Sequence, residues 1–352
     1  MVLLGIKKYS SSSDNSPVEN PVAPIAAHVR FQSWNLRNDA ISNDETINDT
    51  ISNLNSTIPY DTDVRWYSQY KEVAWSTRRI GVANEVSFNR PDLFTVNEAL
   101  SRQVEDLTQL LSPMKYVGVG RDDGDRAGEF QAIFYDPYRV ELLNWDTFWM
   151  SQTPFKPSKF PGAGSTRSAT VGHFRNIRTG FDFVLINLHL DDQSDDQRRL
   201  GAAMARLRGA HEFEKHGCPV FLVGDFNSQS QGGSSGAYSI LTGVEKFNES
   251  LIDHTFLKRY GLSRYSETFA FDDLLKSCKP ERRTGNLATF TNFLQTTDGY
   301  SRIDFQFGGN PHIKAIDKMW QVERYRVGEN WFDNSYFLSD HRPVVSDVMV
   351  WN

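Results

Sequence analysis

Two cysteines in 352 residues, Cys218 and Cys278, are too few for a disulfide framework and match no zinc-binding spacing. Cys218, beside an apolar run, reads as a small core residue. No stretch approaches the ~18 apolar residues of a membrane span. The opening MVLLGIKKYSSSS sets its short apolar run before its lysines, the reverse of a secretory signal. A cytoplasmic or otherwise intracellular protein without a membrane span is therefore expected. Secretion stays open, because Asn48, Asn55 and Asn248 begin glycosylation-type triplets. Basic charge is short too: 38 Lys and Arg stand against 44 Asp and Glu, a net charge of −6. That excludes a global basic footprint for avid, non-specific nucleic-acid binding, so a nucleic-acid substrate would need basic residues gathered at a site. No obligate protein partner is evident.

Apolar bulk, by contrast, is plentiful. Hydrophobic residues make up 39% and aromatics 13%, enough for a packed core and too much for disorder. Residues 1–27 read as a flexible lead-in, because 8–24 are rich in Ser, Asn and Pro. Alternation from His28 predicts a strand ending at Asn35, and the polar stretch 39–63 a long surface loop. Helical spacing covers 75–88. PDLFTVNEAL then gives a second strand, ending in Asn97 and Glu98, before a helix at 102–111. Strands are expected at 130–135, 139–147, 169–175 and 181–190. An amphipathic helix over 193–216, with Leu200, Met204, Leu207 and Phe213 inward, leads into the apolar run Val220, Phe221, Leu222 and Val223. A short helix at 238–241 and strands at 288–293, 302–307, 313–322 and 343–350 follow. Hairpins mixed with strand–helix–strand units suggest an α/β chain of two packed sheets with helices outside.

Polar side chains recur where the apolar runs end. Asn35, Glu98, His189, Asp225 with Asn227, Asp304, and Asp340 with His341 all occupy such positions. Singly, each has a plain structural reading: an Asn turns the chain, Glu98 fits a helix N-terminus, His189 fits a core. Six segments doing the same thing point to one site. Carboxylates and amides without cysteine make an oxygen-rich site for a hard cation, with positions left for water and substrate. Mg²⁺ or Mn²⁺ acts there as a Lewis acid on a phosphoryl oxygen. An Asp beside an amide can deprotonate a water, and a His held protonated by an Asp can meet developing negative charge. The set suits phosphoester hydrolysis without a covalent intermediate.

The segments SWNLR at 33–37, PDLFTVNEAL at 91–100, GEFQAIFYD at 128–136, INLHLDD at 186–192, GDFNS at 224–228, SRIDFQF at 301–307 and LSDHRPV at 338–344 resemble the endonuclease/exonuclease/phosphatase superfamily, in its order. TFWMSQTP at 147–154 and the WSTRR stretch at 75–79 are similar to its deadenylase-type exonuclease branch. The resemblance implies a four-layer αββα sandwich of two packed mixed β-sheets flanked by helices, forming a single catalytic domain over 28–352. It implies Glu98 as the principal metal ligand with Asn35 and Asp340, and Asp225 as the group that activates water. Asn227 and His189 would contact the scissile phosphate, and His341 would face it, oriented by Asp304. Glu129 and Arg167 are further substrate-side candidates. Two positions depart from the family pattern. Asn97 stands where Gln usually precedes the metal-binding Glu, and the strand with His189 reads NLHLDD where many relatives place a Thr before the His and a His after the Asp.

The leading expectation is a Mg²⁺-dependent phosphodiesterase (Mn²⁺ also serving), a 3′–5′ exonuclease-like nuclease on RNA or single-stranded DNA. Arg121, Arg126, Arg167, Arg282 and Arg283 would meet its phosphates. A phosphatase or phosphodiesterase of a small phosphate ester or lipid head group, of the inositol phosphate or sphingomyelin type, is the alternative. A non-catalytic binding module is the second alternative, disfavoured because every expected catalytic residue type is present.

Overall fold

The computed structural model describes residues 26–54, 72–294, 298–314, 316–332 and 336–351. In chain order the strands are β1 (Ala27–Asn35), β2 (Leu93–Asn97), β3 (Lys115–Val117), β4 (Ile133–Tyr135), β5 (Val140–Trp149), β6 (Ser168–Asn176), β7 (Asp182–His189), β8 (Val220–Asp225), β9 (Ala270–Asp273), β10 (Arg283–Gly285), β11 (Asp304–Asn310), β12 (Trp320–Val327), β13 (Trp331–Phe332), β14 (Tyr336–Phe337) and β15 (Val344–Val350). The helices are α1 (Ile47–Asn53), α2 (Trp75–Asn89), α3 (Ser101–Leu110), α4 (Asp195–His216), α5 (Gly236–Leu241), α6 (His254–Tyr260) and α7 (Leu274–Ser277).

Two mixed sheets pack face to face. One runs β10-β12-β15-β1-β2-β4-β3 and the other β5-β6-β7-β8-β11-β9. Strand β8 shows why they must be stacked. Val220 and Leu222 face one apolar cluster, with α4, and Phe221 and Val223 face another, with the opposite sheet. A strand apolar on both faces is stable only when both are covered. Phe31 packs against Phe183 and Phe221 across the inter-sheet core, with ring centroids 6.0 and 4.9 Å apart. Helices α2 and α3 close the outer face of the first sheet through Trp34, Val82, Val86, Phe94 and Leu107. The result is the expected αββα order.

Several local expectations are corrected. The stretch 39–63 is not all loop: residues 47–53 form α1, started by a capping box in which Thr46 accepts from the Asp49 N–H and Asp49 accepts from the Thr46 N–H. Residues 288–293 form no strand. Asn292 and Phe293 have φ of 52° and 54°, which breaks any extended run, and the backbone bonds instead to Ser301 and Asp340. Strand β12 begins only at Trp320, and the 130–135 strand shortens to β4. Helix α4 is buried nearly all round rather than one-sided, because α5 and α6 cover its outer face. Arg206 on α4 is buried and donates to the Phe269, Ile240 and Glu267 carbonyls. The lead-in through residue 25 and the Asn55 triplet lie outside the described residues.

Candidate active site

Strand registers set the site. Asn35 lies beside Asn97 in the parallel β1–β2 pair. In the other sheet, Asp225 ending β8 has His189 of β7 on one side and Asp304 of β11 on the other. Side chains level with one another at one end of two stacked sheets meet across the gap. Glu98 and Asn227 each follow a strand end with φ of 61° and 45°. These left-handed turns, costly for a non-glycine residue, swing both side chains inward. Gly224 permits the closest approach: at φ 134°, a Cβ there would lie 1.9 Å from the Leu188 carbonyl oxygen. Any larger residue would push β7 from β8 beneath Asp225.

Hydrogen bonds join the sheets at this point. Asn35 Nδ2 donates to Glu98 Oε1 and to Asp225 Oδ2, both at 2.9 Å. Its Oδ1 accepts from the Arg37 N–H. Asp225 Oδ2 lies 3.6 Å from His189 Nε2 and 3.7 Å from His341 Nε2. His341 Nδ1 bonds Asp304 Oδ2 at 2.8 Å. Asn227 Nδ2 lies 3.2 Å from His189 Nε2 and donates to the Leu190 carbonyl. The structure thus gathers Asn35, Glu98, His189, Asp225, Asn227, Asp304 and His341. Asp340 joins through its neighbours, with the Ser339 hydroxyl on Asn35 O at 2.6 Å.

Charges in this cage oppose one another. Burial works against a charged His341, yet the carboxylates of Asp304 and Asp225 and the bond to Asp304 outweigh it, raising its pKa well above 6.5. His189 goes the other way: burial, then the Arg167 guanidinium, lower it to about 3, so it is neutral. Burial and the neighbouring Asp304 raise Asp225. Burial also raises Asp340, with Glu98 as a second raising influence beside the opposing pull of His341.

Glu98, Asp225 and His341 each offer an atom within 4.8 Å of the others. A protonated His341 ligates nothing, so the oxygen donors near Glu98 are the ones suited to a cation. Crowded carboxylates, with Asp225 and Asp340 raised in pKa and no cysteine among them, fit a hard divalent ion. Asn35 would have to turn its amide, or share Oδ1 with the Arg37 N–H, to add an oxygen.

Glu129 and Arg167 sit close by in different ways. Glu129 pairs with Arg121, and its Oε2 lies 3.7 Å from His189 Nδ1. Arg167 is buried behind His189. Its Nη1 is 3.0 and 3.1 Å from the two ring nitrogens, too symmetric for a bond to one lone pair, so it rests against the ring. Asp191 holds Arg167 Nε at 3.2 Å. Burial opposes the Asp191 charge, but the N–H groups of Gly164, Ser194 and Ser165 bring its pKa down to about 2.

Four further residues at the site, Asn97, Arg37, Arg78 and Trp34, lie inside the family-like segments but outside the expected set of site members. Asn97 accepts from the Asp225 N–H and donates to Asn187, tying the sheets together beneath the catalytic end. Arg37, ion-paired with Glu72, is 4.0 Å from Glu98. Fully buried Arg78 donates to the carbonyls of Leu36 and Leu338, at 2.6 and 2.8 Å, fastening the β1 exit to the segment carrying Asp340 and His341. Trp34 Nε1 donates to the His341 carbonyl. Arg78 and Arg37 belong to the WSTRR and SWNLR stretches, whose family resemblance was the only signal for them.

Two stacked mixed sheets with a buried carboxylate, amide and imidazolium cage at one end define a hydrolase of phosphate esters. The chain belongs to the Endonuclease/Exonuclease/phosphatase family, whose model matches residues 33–341. It is a metal-dependent phosphoester hydrolase. Its fold is similar to an endonuclease/exonuclease/phosphatase from Bacteroides vulgatus, with TM-score 0.67 and 24% identity over 92% of this chain and 100% of that one. It is also similar to a mannosyl-6-phosphatase from Bacteroides thetaiotaomicron, with TM-score 0.64 and 25% identity over 92% and 100%. The human Nocturnin catalytic domain with a bound sulfate anion shares the fold at TM-score 0.57 and 12% identity over 93% and 98%. No curated protein sequence matches the chain.

Proposed function

We propose that residues 28–352 act as one catalytic domain hydrolysing small phosphate esters, a phosphorylated sugar being the type. Mg²⁺, or Mn²⁺, would be held by Glu98 and Asp340 with Asn35 beside them. The observation that carries the reading is the Asn35 amide, which joins Glu98 of one sheet to Asp225 of the other at 2.9 Å each. It sets the cation-binding carboxylate and the proton-accepting carboxylate side by side.

When bound, the cation neutralises phosphate charge and polarises its oxygen. Asp225, raised by burial, takes the proton of the attacking water. Charged His341, held by Asp304, donates to the oxygens where negative charge grows, and Asn227 would join it by turning its second amide hydrogen from His189 Nε2 to the phosphate. Neutral His189 rests against Arg167, and with the Asn227 amide turned away its Nε2 would carry the proton and donate to the phosphate without adding charge.

The fate of the arginines favours a small ester over a nucleic-acid strand. Arg121 and Arg167 are buried in ion pairs, and Arg126 is paired with Glu105. Arg283 is tied to the Cys278 carbonyl, and Arg282 lies in a cleft with His28 and Arg30, near the start of β1. The similarity to a mannosyl-6-phosphatase points the same way. A panel of sugar phosphates, inositol phosphates, sphingomyelin, poly(A) RNA and single-stranded DNA, assayed with Mg²⁺, tests this. Fastest turnover of a sugar phosphate is expected; preference for an oligonucleotide would replace the substrate with a nuclease's.

A further inference from the structure

Where the strands that deliver the site begin, the molecule has a cleft of about 770 Å³. It is lined from both sheets, by His28, Val29 and Arg30 of β1, Tyr138 and Arg139 before β5, and Ile177 and Arg178 between β6 and β7, among others. Asn35 is five residues beyond Arg30 along β1, roughly 16 Å at strand rise. This cleft is therefore separate from the active site.

Its charge is lopsided. Of the three acids of the lining, two are matched by arginines, Asp347 by Arg30 and Asp92 by Arg139, while Glu323 hydrogen-bonds His28. Arg90, Arg178, Arg282 and Arg324 remain, all exposed and, among the described residues, in no ion pair. Four guanidiniums outside any ion pair, set against the single remaining Glu323 carboxylate, converge on one concavity of a chain whose net charge is −6. They come from four separate segments, so the convergence is built by the fold and not by a local basic run. Like charges brought together without a partner repel, and the anion that best relieves them is one with several charged oxygens, since guanidinium forks bind phosphate oxygens in pairs. The same lining exposes two apolar side chains, Tyr138 at 77% and Ile177 at 51%. An exposed aromatic ring offers a stacking surface for a flat base. The volume falls within the ~300–1,000 Å³ of small-molecule sites.

We propose that this cleft binds a nucleoside polyphosphate, its phosphates among Arg90, Arg178, Arg282 and Arg324 and its base against Tyr138. The proposal does not depend on what the active site hydrolyses. It is tested by calorimetric titration of ATP, tripolyphosphate and inositol hexakisphosphate, in the presence of EDTA, into the full chain carrying Asp225→Asn, so that turnover is suppressed during the titration. ATP should bind, Arg90→Ser with Arg324→Ser should weaken it by about tenfold or more, and Tyr138→Ala should bring it down to the affinity of tripolyphosphate. In the otherwise unaltered chain, the same double substitution should leave phosphoesterase activity within about twofold, showing the fold intact. No ATP binding, or binding indifferent to the double substitution, overturns the site. Tripolyphosphate or inositol hexakisphosphate binding as tightly as ATP overturns the nucleotide.

Discussion

Where β1, β2, β7 and β8 finish, the charged side chains are buried and locked to one another. Where the same strands begin, four arginines stand exposed without an ion-pair partner among the described residues. The contrast follows from what each end must do. At the finishing end a reaction needs carboxylates and an imidazolium fixed before substrate arrives, so burial and hydrogen bonds hold them. At the starting end, solvent screens the unmatched charge, so the arginines can stay apart from any partner until an anion binds. Preorganisation is thus concentrated at one end of a sandwich that is otherwise a continuous core.

Breaking the locked end should have the larger effects. His341→Gln removes the imidazolium braced by Asp304 and should lower kcat roughly 10²–10³-fold, with protein that unfolds cooperatively as before. Steady-state kinetics on the best phosphoester checks it; a change below about tenfold would remove His341 from the charge-stabilising role. Arg78→Met should destabilise the fold by about 2–3 kcal/mol in denaturant titrations, because the Leu36 and Leu338 carbonyls lose their buried donor. Unchanged stability would mean those carbonyls find other partners.

A smaller effect belongs to the outer face of the second sheet, near the starting end. His173 and His216 pack with ring centroids 3.9 Å apart and planes tilted by 40°, and burial lowers both pKa values from 6.5, the charge of His173 adding to the effect on His216. A folded pKa below the unfolded one means the unfolded chain takes up protons first. Their contribution is therefore complete above about pH 6.5 and is lost as pH falls below it. Chemical denaturation across pH 7 to 5 should show stability falling, with a shallower slope in His173→Gln. Equal slopes would show that other groups set the acid limb.

Much of the fold was readable because buried strands advertise themselves. Val220 to Val223 is apolar on both faces, and the change to Asp225 marks its end without ambiguity. Asn35, Glu98, His189 and Asp225 were readable for the same reason, since each lies where such a run stops. Asp304 instead opens β11, and Asp340 and His341 precede β15, so the expectation that they end apolar runs is corrected and only their motifs marked them. What local pattern could not show were partners distant in sequence. Asn97 reaches Asp225 across 128 positions, and Arg78 reaches Leu338 across 260. Nor did pattern alone expose helix α1, whose signal is a capping box inside a polar stretch, or show that 288–293 gives its hydrogen bonds to a loop. Arg167 reads from sequence as a phosphate contact, but its guanidinium is spent on Asp191 and the His189 ring.

The account rests most on Asp225 as the acceptor of the water proton beside a divalent cation. Turnover of a phosphate ester by the unaltered chain and by Asp225→Asn, each with Mg²⁺ and with EDTA, tests it directly. The unaltered chain should be active only with metal, and Asp225→Asn should lose roughly 10²–10⁴-fold in kcat even when metal is saturating. Activity that survives EDTA, or an Asp225→Asn chain close to the normal rate, would contradict it.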